Sequence, residues 1–316
     1  MLSYLKKRIL SLLPVLLVVS LIVFLVVYII PGGPATALLG LEGTPAQIAA
    51  LNTELGFDRP FLVQYADWFS GVLRGDWGES FFLQQSVLSA IGEYFGPTLS
   101  LAILAQLLAL VLSIPMGILS AYRRGTALDV ATVSAALLGI AVPGFLLSMF
   151  LMLFFGVYLK WLPVAGYAAL SQGLGMHLRY LLLPTLSLGV VQAAYITRMT
   201  RSAMLDVLYM NYIRTARAKG LRESAMVVRH ALKNAAPTIL TVVGQSFGGL
   251  VTGTIVTETL FGIPGLGMLT MTAIARRDVF VIQGVVLFVT LLYVLVNLAV
   301  DILYGVVNPR IQLGGE

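Results

Sequence analysis

Residues 211–239, NYIRTARAKGLRESAMVVRHALKNAAPTI, place charge and a helix break in a chain that is otherwise mostly apolar. Six Lys or Arg fall between Arg214 and Lys233, against one acid, Glu223. Apolar residues recur at helical spacing on both sides of Gly220 and predict two amphipathic helices, the second starting near Glu223. They are Leu205, Leu208, Tyr212 and Ala216, then Val227, Val228, Ala231 and Leu232. By these residues alone, the pair could lie on anionic lipid or dock a cytoplasmic protein.

The composition indicates a membrane protein. Of the 316 residues, 59% are hydrophobic and only 11% are charged, far from the averages of soluble domains. The absence of cysteine excludes disulfides, thiolate metal sites and cysteine nucleophiles. The two histidines, His177 and His230, are expected on opposite sides of the bilayer, so we expect no histidine-based metal centre. The net charge of +6 therefore has to be interpreted loop by loop.

Six stretches without Asp, Glu, Lys or Arg are long enough to cross a bilayer as helices. They are residues 9–30, 94–122, 130–159, 180–197, 234–257 and 279–300. We therefore predict an all-α membrane protein with six transmembrane helices. The first stretch exceeds the apolar core of a signal peptide and is expected to be retained. The third contains Pro143-Gly144 and is expected to be tilted or kinked, or to have apolar flanks in a loop.

Basic residues predict the topology. They cluster at residues 6–8, 123–124 and 198–233, which are alternate ends of the spans, so these ends and both termini are expected in the cytoplasm. Arg276 and Arg277 run weakly against this rule. Residues 31–93 carry seven acids against two arginines and form the predicted extracytoplasmic excursion. The other predicted regions are 1–30 with the first span, a core domain at 94–304 with the cytoplasmic loop at 205–233, and a cytoplasmic tail at 305–316.

The excursion interleaves aromatic residues with glycines, as in Trp68, Trp77, Gly71 and Gly75. This mixture predicts short helices that pack as a cap on the bundle with interfacial aromatics. A docking surface for a soluble partner is the alternative.

The segments Tyr212-Ile213-Arg214-Thr215-Ala216-Arg217-Ala218-Lys219-Gly220 and Arg229-His230-Ala231-Leu232-Lys233-Asn234-Ala235 resemble the coupling loop of ABC-importer permeases. The similarity is closest to the dipeptide, oligopeptide and nickel branch, and it extends along nearly the whole chain. Supporting segments are residues 5–8, 30–35, 55–60, 75–78, 256–267 and 308–311. Two positions depart from the wider pattern: Arg214-Thr215-Ala216 stands in place of Glu-Ala-Ala, and Gly33 stands where relatives often carry Asp.

This resemblance implies a type I ABC-importer permease fold in a bacterial inner membrane. It also implies an ATPase-coupling role for the predicted loop residues Arg214, Thr215, Ala216, Arg217, Lys219 and Gly220. The expected partners are a second homologous permease, two ATPase subunits, an extracytoplasmic substrate-binding protein and membrane lipid, with no nucleic acid. The chain contains no G-x-x-x-x-G-K-[ST] phosphate loop, so ATP hydrolysis is expected on another polypeptide. We expect no catalytic residue, cofactor or metal site here.

Glu258 is the most informative single acid, because an ionisable residue at membrane depth suggests function. With Pro264 and Gly265 it forms the predicted pathway or gate. The alternative is a hydrated end charge, or a partner of Arg276 or Arg277.

Other polar and helix-breaking residues have structural expectations. Pro143-Gly144 and Pro184 are expected to kink or end helices. His177 is expected at the outer surface, and His230 in the packing of the coupling segment. Asp129 and Asp301 are expected to be interface or pairing charges.

The predicted function is one half of an ATP-driven import pathway for di- and oligopeptides. A permease for nickel or a metal chelate is the alternative within the family. A secondary transporter would require inverted repeats and paired intramembrane acids, which the chain does not show convincingly. A membrane scaffold would leave the glycine-broken basic loop unexplained.

Overall fold

The computed structural model describes residues 2–29, 35–36, 39, 44–54, 56–80 and 82–307. Gly33 and most of the predicted tail lie outside the described residues. The helices begin with α1 (Leu2–Ile29), α2 (Pro45–Glu54) and α3 (Phe61–Arg74), followed by a small antiparallel hairpin of β1 (Glu79–Ser80) and β2 (Gln85–Ser86). The remaining helices are α4 (Val87–Tyr122), α5 (Ala127–Ala141), α6 (Gly144–Tyr158), α7 (Leu174–Leu208), α8 (Asn211–Ala218), α9 (Glu223–Gly253), α10 (Ile255–Phe261), α11 (Leu266–Arg276) and α12 (Val279–Val307).

The predicted helical membrane fold is confirmed. Four helices, α4, α7, α9 and α12, are each long and apolar enough to cross a membrane. Two further pairs qualify only when each is taken together, because α5 and α6 bend by 96° and α10 and α11 bend by 89°. Helix α1 contains a shorter apolar segment, Leu12–Leu25. The count of six spans and the cytoplasmic position of both termini stay predictions.

Helices α4 and α7 form the centre of the bundle, and glycines set their spacing. A Cβ atom built on Gly117 of α4 would lie 2.7 Å from Cβ of Thr200 on α7. Small residues at such crossings let two backbones approach closely. This close packing favours helix association in a membrane, where the hydrophobic effect does not drive it. Helix α9 packs on α7 and α12, and α1 packs on the outside of α12. Gln283 of α12 donates to the carbonyl oxygens of Val23 and Phe24 at 3.3 and 3.4 Å.

The third predicted span bends by 96° at Pro143, which selects a kink among the alternatives that the sequence left open. Helix α5 ends at Ala141 and α6 starts at Gly144. Pro143 lies between them with φ −58° and ψ 132°, a conformation that ends one helix and starts the next. Pro184 instead lies inside α7, which continues to Leu208.

Two predicted span boundaries differ from the structure. Helix α4 begins at Val87 rather than residue 94, because Glu93 is exposed on its surface and does not interrupt it. Ser86 caps this start by accepting the amide N–H of Ser89 at 3.2 Å. Helix α9 begins at Glu223, as predicted, but ends at Gly253, and the residues that follow belong to the bent pair α10–α11.

The predicted cap is confirmed as a packed unit. The ring of Phe24 on α1 lies 5.4 to 5.8 Å from four aromatic rings, those of Tyr28, Phe61, Tyr65 and Trp68. The hydroxyl of Ser80 in the hairpin donates to Asp278, just before α12, at 2.6 Å. The cap is therefore fixed to the bundle at both α1 and α12.

Candidate functional site

The loop that is predicted to be cytoplasmic folds into the helix pair that its sequence predicts. Helix α8 ends at Ala218, and Gly220 follows with φ +77°, a left-handed conformation that favours glycine. The amide N–H groups of Gly220 and Leu221 donate back to Arg217 and Ala216 at 3.0 and 3.3 Å. These bonds close the end of α8 and redirect the chain into α9. We call α8 with the first turns of α9 the coupling pair.

A buried base holds the coupling pair against the bundle. Ile213 is fully buried, although the side chains around it on α8 are mostly exposed. It belongs to an apolar cluster contributed by α4, α7, α8 and α9. The other buried members are Ala121, Ala203, Met204, Val207, Met226, Val227, Ala231, Ala235 and Ile239. Helix α8 is therefore in direct packing contact with three long helices.

The outer face of the coupling pair carries the predicted docking residues. Arg214, Thr215, Arg217 and Lys219 are exposed, Ala216 is half-buried, and Gly220 faces open space. Arg217 forms two hydrogen bonds with Glu223 across the glycine turn, at 2.7 and 3.2 Å, and these bonds raise the pKa of Arg217. The surface is thus accessible and cationic, while its role in coupling stays a prediction.

An ion pair between a buried carboxylate and a half-buried arginine fixes the same end of the bundle. Asp129, near the start of α5, accepts two hydrogen bonds from Arg201 of α7 at 2.6 and 2.8 Å. It also accepts the hydroxyl of Ser120 at 2.5 Å and the amide of Gly125 at 2.9 Å. The expectation that Asp129 is a pairing charge is confirmed. These contacts join α4, α5 and α7. Arg201 lies ten residues before the start of α8.

Glu258 is fully buried, and its carboxylate is saturated with donors. One oxygen accepts the hydroxyls of Thr98 and Thr254, each at 2.7 Å. The other accepts the amide N–H groups of Gly267 and Met268 at 2.7 and 3.3 Å. A carboxylate at the start of α11 suits the free amides and positive dipole of a helix N-terminus. Glu258 therefore ties α10 to α11 and to α4.

The alternative of a hydrated end charge at Glu258 is wrong, because the side chain has no exposure to solvent. Within the described part of the chain, Glu258 also forms no ion pair with Arg276 or Arg277. Arg276 lies instead over the ring of Phe82, 5.6 Å from its centre. The pathway role of Glu258 stays a prediction.

Two glycines leave room for the Glu258 carboxylate. A Cβ on Gly265 would overlap its carboxyl group, and a Cβ on Gly267 would overlap Ile255 Cα and lie 2.8 Å from Glu258 Oε2. Pro264, directly before the first of these glycines, is exposed. The structure thus brings the three predicted gate residues together at the 89° bend between α10 and α11.

The expectation for His177 is wrong. This side chain is 4% exposed, and its Nδ1 lies 2.7 Å from the carbonyl oxygen of Ala168. Its ring also packs edge-on against Tyr167. The loop before α7 folds back over the first turn of that helix and covers the histidine.

Sequence reasoning missed the partners of both buried acids. Arg201 lies 72 residues from Asp129, and Thr98 lies 160 residues from Glu258. No local pattern marks such pairs. The spacing of Gly265 and Gly267 after Pro264 was the available signal for a close approach at Glu258.

Comparison with known proteins gives the family of this chain. A model described as "Binding-protein-dependent transport system inner membrane component" matches residues 113–313, and the corresponding N-terminal model matches residues 1–102. The chain belongs to this family. It is accordingly a multi-pass inner-membrane protein and a permease component of an ABC importer.

Curated relatives match this permease along its whole length. A probable peptide ABC transporter permease protein, y4tP, of Sinorhizobium fredii is 40% identical over 98% of this chain and 99% of its own. A putative peptide transport system permease protein of Brucella abortus is 41% identical, covering 97% and 98%. The glutathione transport system permease protein GsiC of Salmonella typhimurium is 40% identical, covering 99% of each.

A solved structure supports the fold. A chain of the MetNI methionine ABC transporter, described as inward facing, matches with a TM-score of 0.58 over 69% of this permease and 96% of that chain. The identity is 21%, so this likeness concerns the arrangement of helices only.

Proposed function

We propose that this permease forms one half of the transmembrane pathway of a peptide importer, whose energy comes from ATP hydrolysed by separate subunits. Its cargo would reach it on an extracytoplasmic substrate-binding protein. The other half of the pathway would be a second, homologous permease above two ATPase subunits. The names of relatives about 40% identical to this chain support peptides as cargo.

The observation that carries this proposal is the coupling pair itself. Helix α8 is exposed and cationic on one side. On the other side its residue Ile213 is fully buried and packs with the ends of α4, α7 and α9. A helix that only lay on lipid would bury its apolar side in the bilayer. Here that side is buried in the protein, and the polar side is left free for a partner. An ATPase surface that pulls on α8 would therefore move three long helices together.

Within this proposal, the coupling residues have distinct roles. Ala216 is small and half-buried, which permits a close approach of the partner. Gly220 sets the angle between α8 and α9 through its left-handed backbone. Arg214, Arg217 and Lys219 supply positive charge for acidic groups around the docking groove.

The pathway role proposed for Glu258, Pro264 and Gly265 rests on the α10–α11 bend. A bend between two short helices leaves backbone groups without helical hydrogen bonds. Inside a membrane bundle, such a bend is tolerated only where it is buried in protein or lines a cavity. The Glu258 hydrogen bonds close this bend in the present conformation. Opening of the bend during transport would expose the carboxylate to the pathway.

Coupling is tested by co-purification of the ATPase subunits with variants of the full permease complex. Ala216→Glu places a carboxylate and extra bulk on the docking face, and Gly220→Val strains the turn. Both are expected to lose the ATPase subunits and transport. Gly220→Asn should retain both, because asparagine tolerates the left-handed conformation.

Gly75→Val provides the matched control for backbone strain. Gly75 has φ +87° and open space around it, like Gly220, but lies at the end of α3 in the cap. This variant should keep its ATPase subunits. Normal assembly and transport in both Ala216→Glu and Gly220→Val would refute the coupling role.

The cargo is tested on the partner binding protein. Ligands released from the purified binding protein should be peptides, and peptide-loaded protein should stimulate ATP hydrolysis by the complex in proteoliposomes. Stimulation by a nickel-loaded or chelate-loaded form alone would overturn the peptide assignment and leave the coupling role intact.

A further inference from the structure

A pocket of about 330 Å³ opens between the end of α6 and the start of α7. It is lined by Lys160 and Arg179 together with Gly156, Leu162, Met176 and Tyr180. It lies at the opposite end of α7 from the coupling pair, and the proposed transport mechanism gives it no role.

The position of this pocket relative to the membrane follows from the length of α7. Arg179 and Arg198 flank an uncharged stretch of α7, and their separation of 19 residues corresponds to about 29 Å along a helix. The hydrocarbon core of a bilayer is roughly 30 Å thick. Two charges at this separation suit the two interfaces of one bilayer, which would put Arg179 at the level of the lipid headgroups. Tyr158 and Trp161, beside the pocket, are 72% and 63% exposed, as expected for aromatic residues at that level.

No ion pair to an acid of the described residues compensates the charge of the pocket. Among residues 2–29, 35–36, 39, 44–54, 56–80 and 82–307, no carboxylate forms an ion pair with Lys160 or Arg179. Both side chains are exposed. Two cations in one pocket, neither paired with a carboxylate of the described residues, would attract an anion.

The turn that carries Lys160 is fixed in place. Lys160 has φ +56°, a conformation uncommon for a residue with a side chain. The amide N–H groups of Trp161 and Leu162 both donate to the carbonyl oxygen of Phe155, at 2.9 and 3.4 Å. Gly156 allows the chain to fold back, since a Cβ there would overlap Val164. The ammonium group is thus presented by a preformed turn.

We propose that this pocket binds the phosphate of an anionic phospholipid in the leaflet at the cap end of the bundle. The Arg179 guanidinium would bind two phosphate oxygens, and the Lys160 ammonium would supply a second positive charge. The acyl chains would lie along the exposed apolar side chains nearby, including Met176, which is 51% exposed. The membrane depth and the exposed aromatics favour a lipid over an acidic segment of a protein.

The test uses the full permease complex in nanodiscs of phosphatidylcholine that contain a photoactivatable phosphatidylglycerol. Labelled peptides are mapped by mass spectrometry. The Lys160→Gln/Arg179→Gln variant should lose roughly tenfold or more of the labelling at residues 156–180, since each basic residue near a membrane surface contributes about 1 kcal/mol of attraction to anionic lipid. The Arg74→Gln/Arg277→Gln control removes the same charge from exposed positions elsewhere and should keep the labelling.

A measurement on the unmodified complex covers the case in which the double variant does not fold. Labelling by the phosphatidylglycerol probe should fall as salt is raised, while labelling by a phosphatidylcholine probe should not. Equal labelling of the two double variants, or no salt dependence in the unmodified complex, would overturn the proposal. Crosslinking of Lys160 to carboxylates of the binding protein, with no lipid labelling there, would assign the pocket to a protein partner instead.

Discussion

The Glu258 carboxylate accepts the amide N–H of Gly267 at 2.7 Å, across the bend that separates α10 from α11. This contact exists because Gly267 has no side chain, so the start of α11 can lie directly against α10. A buried acid and a glycine nine positions apart therefore set the geometry of the bend. The arrangement makes Glu258 a structural residue in this conformation, whatever it contacts during transport.

Replacement of Glu258 by glutamine is expected to destabilise the α10–α11 pair. The amide nitrogen of glutamine cannot accept hydrogen bonds, so two buried donors lose their acceptor, at a cost of about 1–3 kcal/mol. The measurement is thermal unfolding of the purified permease, together with transport in proteoliposomes. Loss of transport at unchanged stability would instead favour a direct pathway role.

The control for this variant is Glu93→Gln. Glu93 is exposed on α4 and accepts a long hydrogen bond, 3.4 Å from Gln85. Its substitution should change neither stability nor transport. A similar loss in both variants would show that the saturated contacts of Glu258 are not the cause.

Gly267→Ala tests the close approach directly. Its methyl group would overlap the Ile255 backbone, which cannot rotate away, so we expect a loss of about 1–3 kcal/mol in the free energy of unfolding. Gly253→Ala, at the end of α9, meets nothing within 4 Å. That control should be neutral or should gain up to about 1 kcal/mol, because alanine suits a helix better than glycine. Unfolding curves that shift equally for the two variants would contradict the packing argument.

Asp129→Asn should weaken the end of the bundle that carries the coupling pair. It removes the charge that Arg201 pairs with, and breaking a buried pair costs about 3–5 kcal/mol. We expect a smaller loss in the free energy of unfolding, about 2–3 kcal/mol, because the Arg201 side chain is 23% exposed. Denaturant unfolding measures the loss. The exposed pair of Arg59 and Asp67 provides the control, since Asp67→Asn should have little effect.

Ser80→Ala tests how the cap is held. Ser80 donates to the buried carboxylate of Asp278 at 2.6 Å, and loss of a hydrogen bond to a charged group costs about 1.5–3 kcal/mol. We expect faster hydrogen exchange in the hairpin and in the first turn of α12. Ser70→Ala removes an exposed hydroxyl that donates to the Asp67 carbonyl within α3, and hydrogen exchange there should not change. Unchanged exchange in Ser80→Ala would mean that the aromatic cluster around Phe24 alone holds the cap.

Local patterns were sufficient for the elements whose structure depends on neighbouring residues. The kink at Pro143 follows from a missing amide and a fixed φ. The break at Gly220 follows from its freedom to adopt a left-handed conformation. The start of α9 near Glu223 follows from apolar periodicity. These features arise within a few residues of the chain, so the sequence predicts them directly.

The span boundaries predicted from uncharged stretches were wrong where a charged side chain could face away from the bundle or pair with another residue. Glu93 did not end a helix, because it points away from the bundle. His177 is polar and near a helix start, yet a loop covers it. Burial depends on what packs against a residue, and the composition of a segment does not contain that information.

The sequence by itself determined that this is a helical membrane protein with a cationic, glycine-broken helix pair, because apolar length, charge placement and glycine position act locally. Only the tertiary structure decided that Glu258 accepts hydrogen bonds from Gly267 and Thr98. It also decided that Asp129 pairs with Arg201 and that Lys160 lines the same pocket as Arg179. These contacts join residues far apart in the chain or around a bend. Their energies come from burial and from donor and acceptor positions, which exist only once the helices have packed.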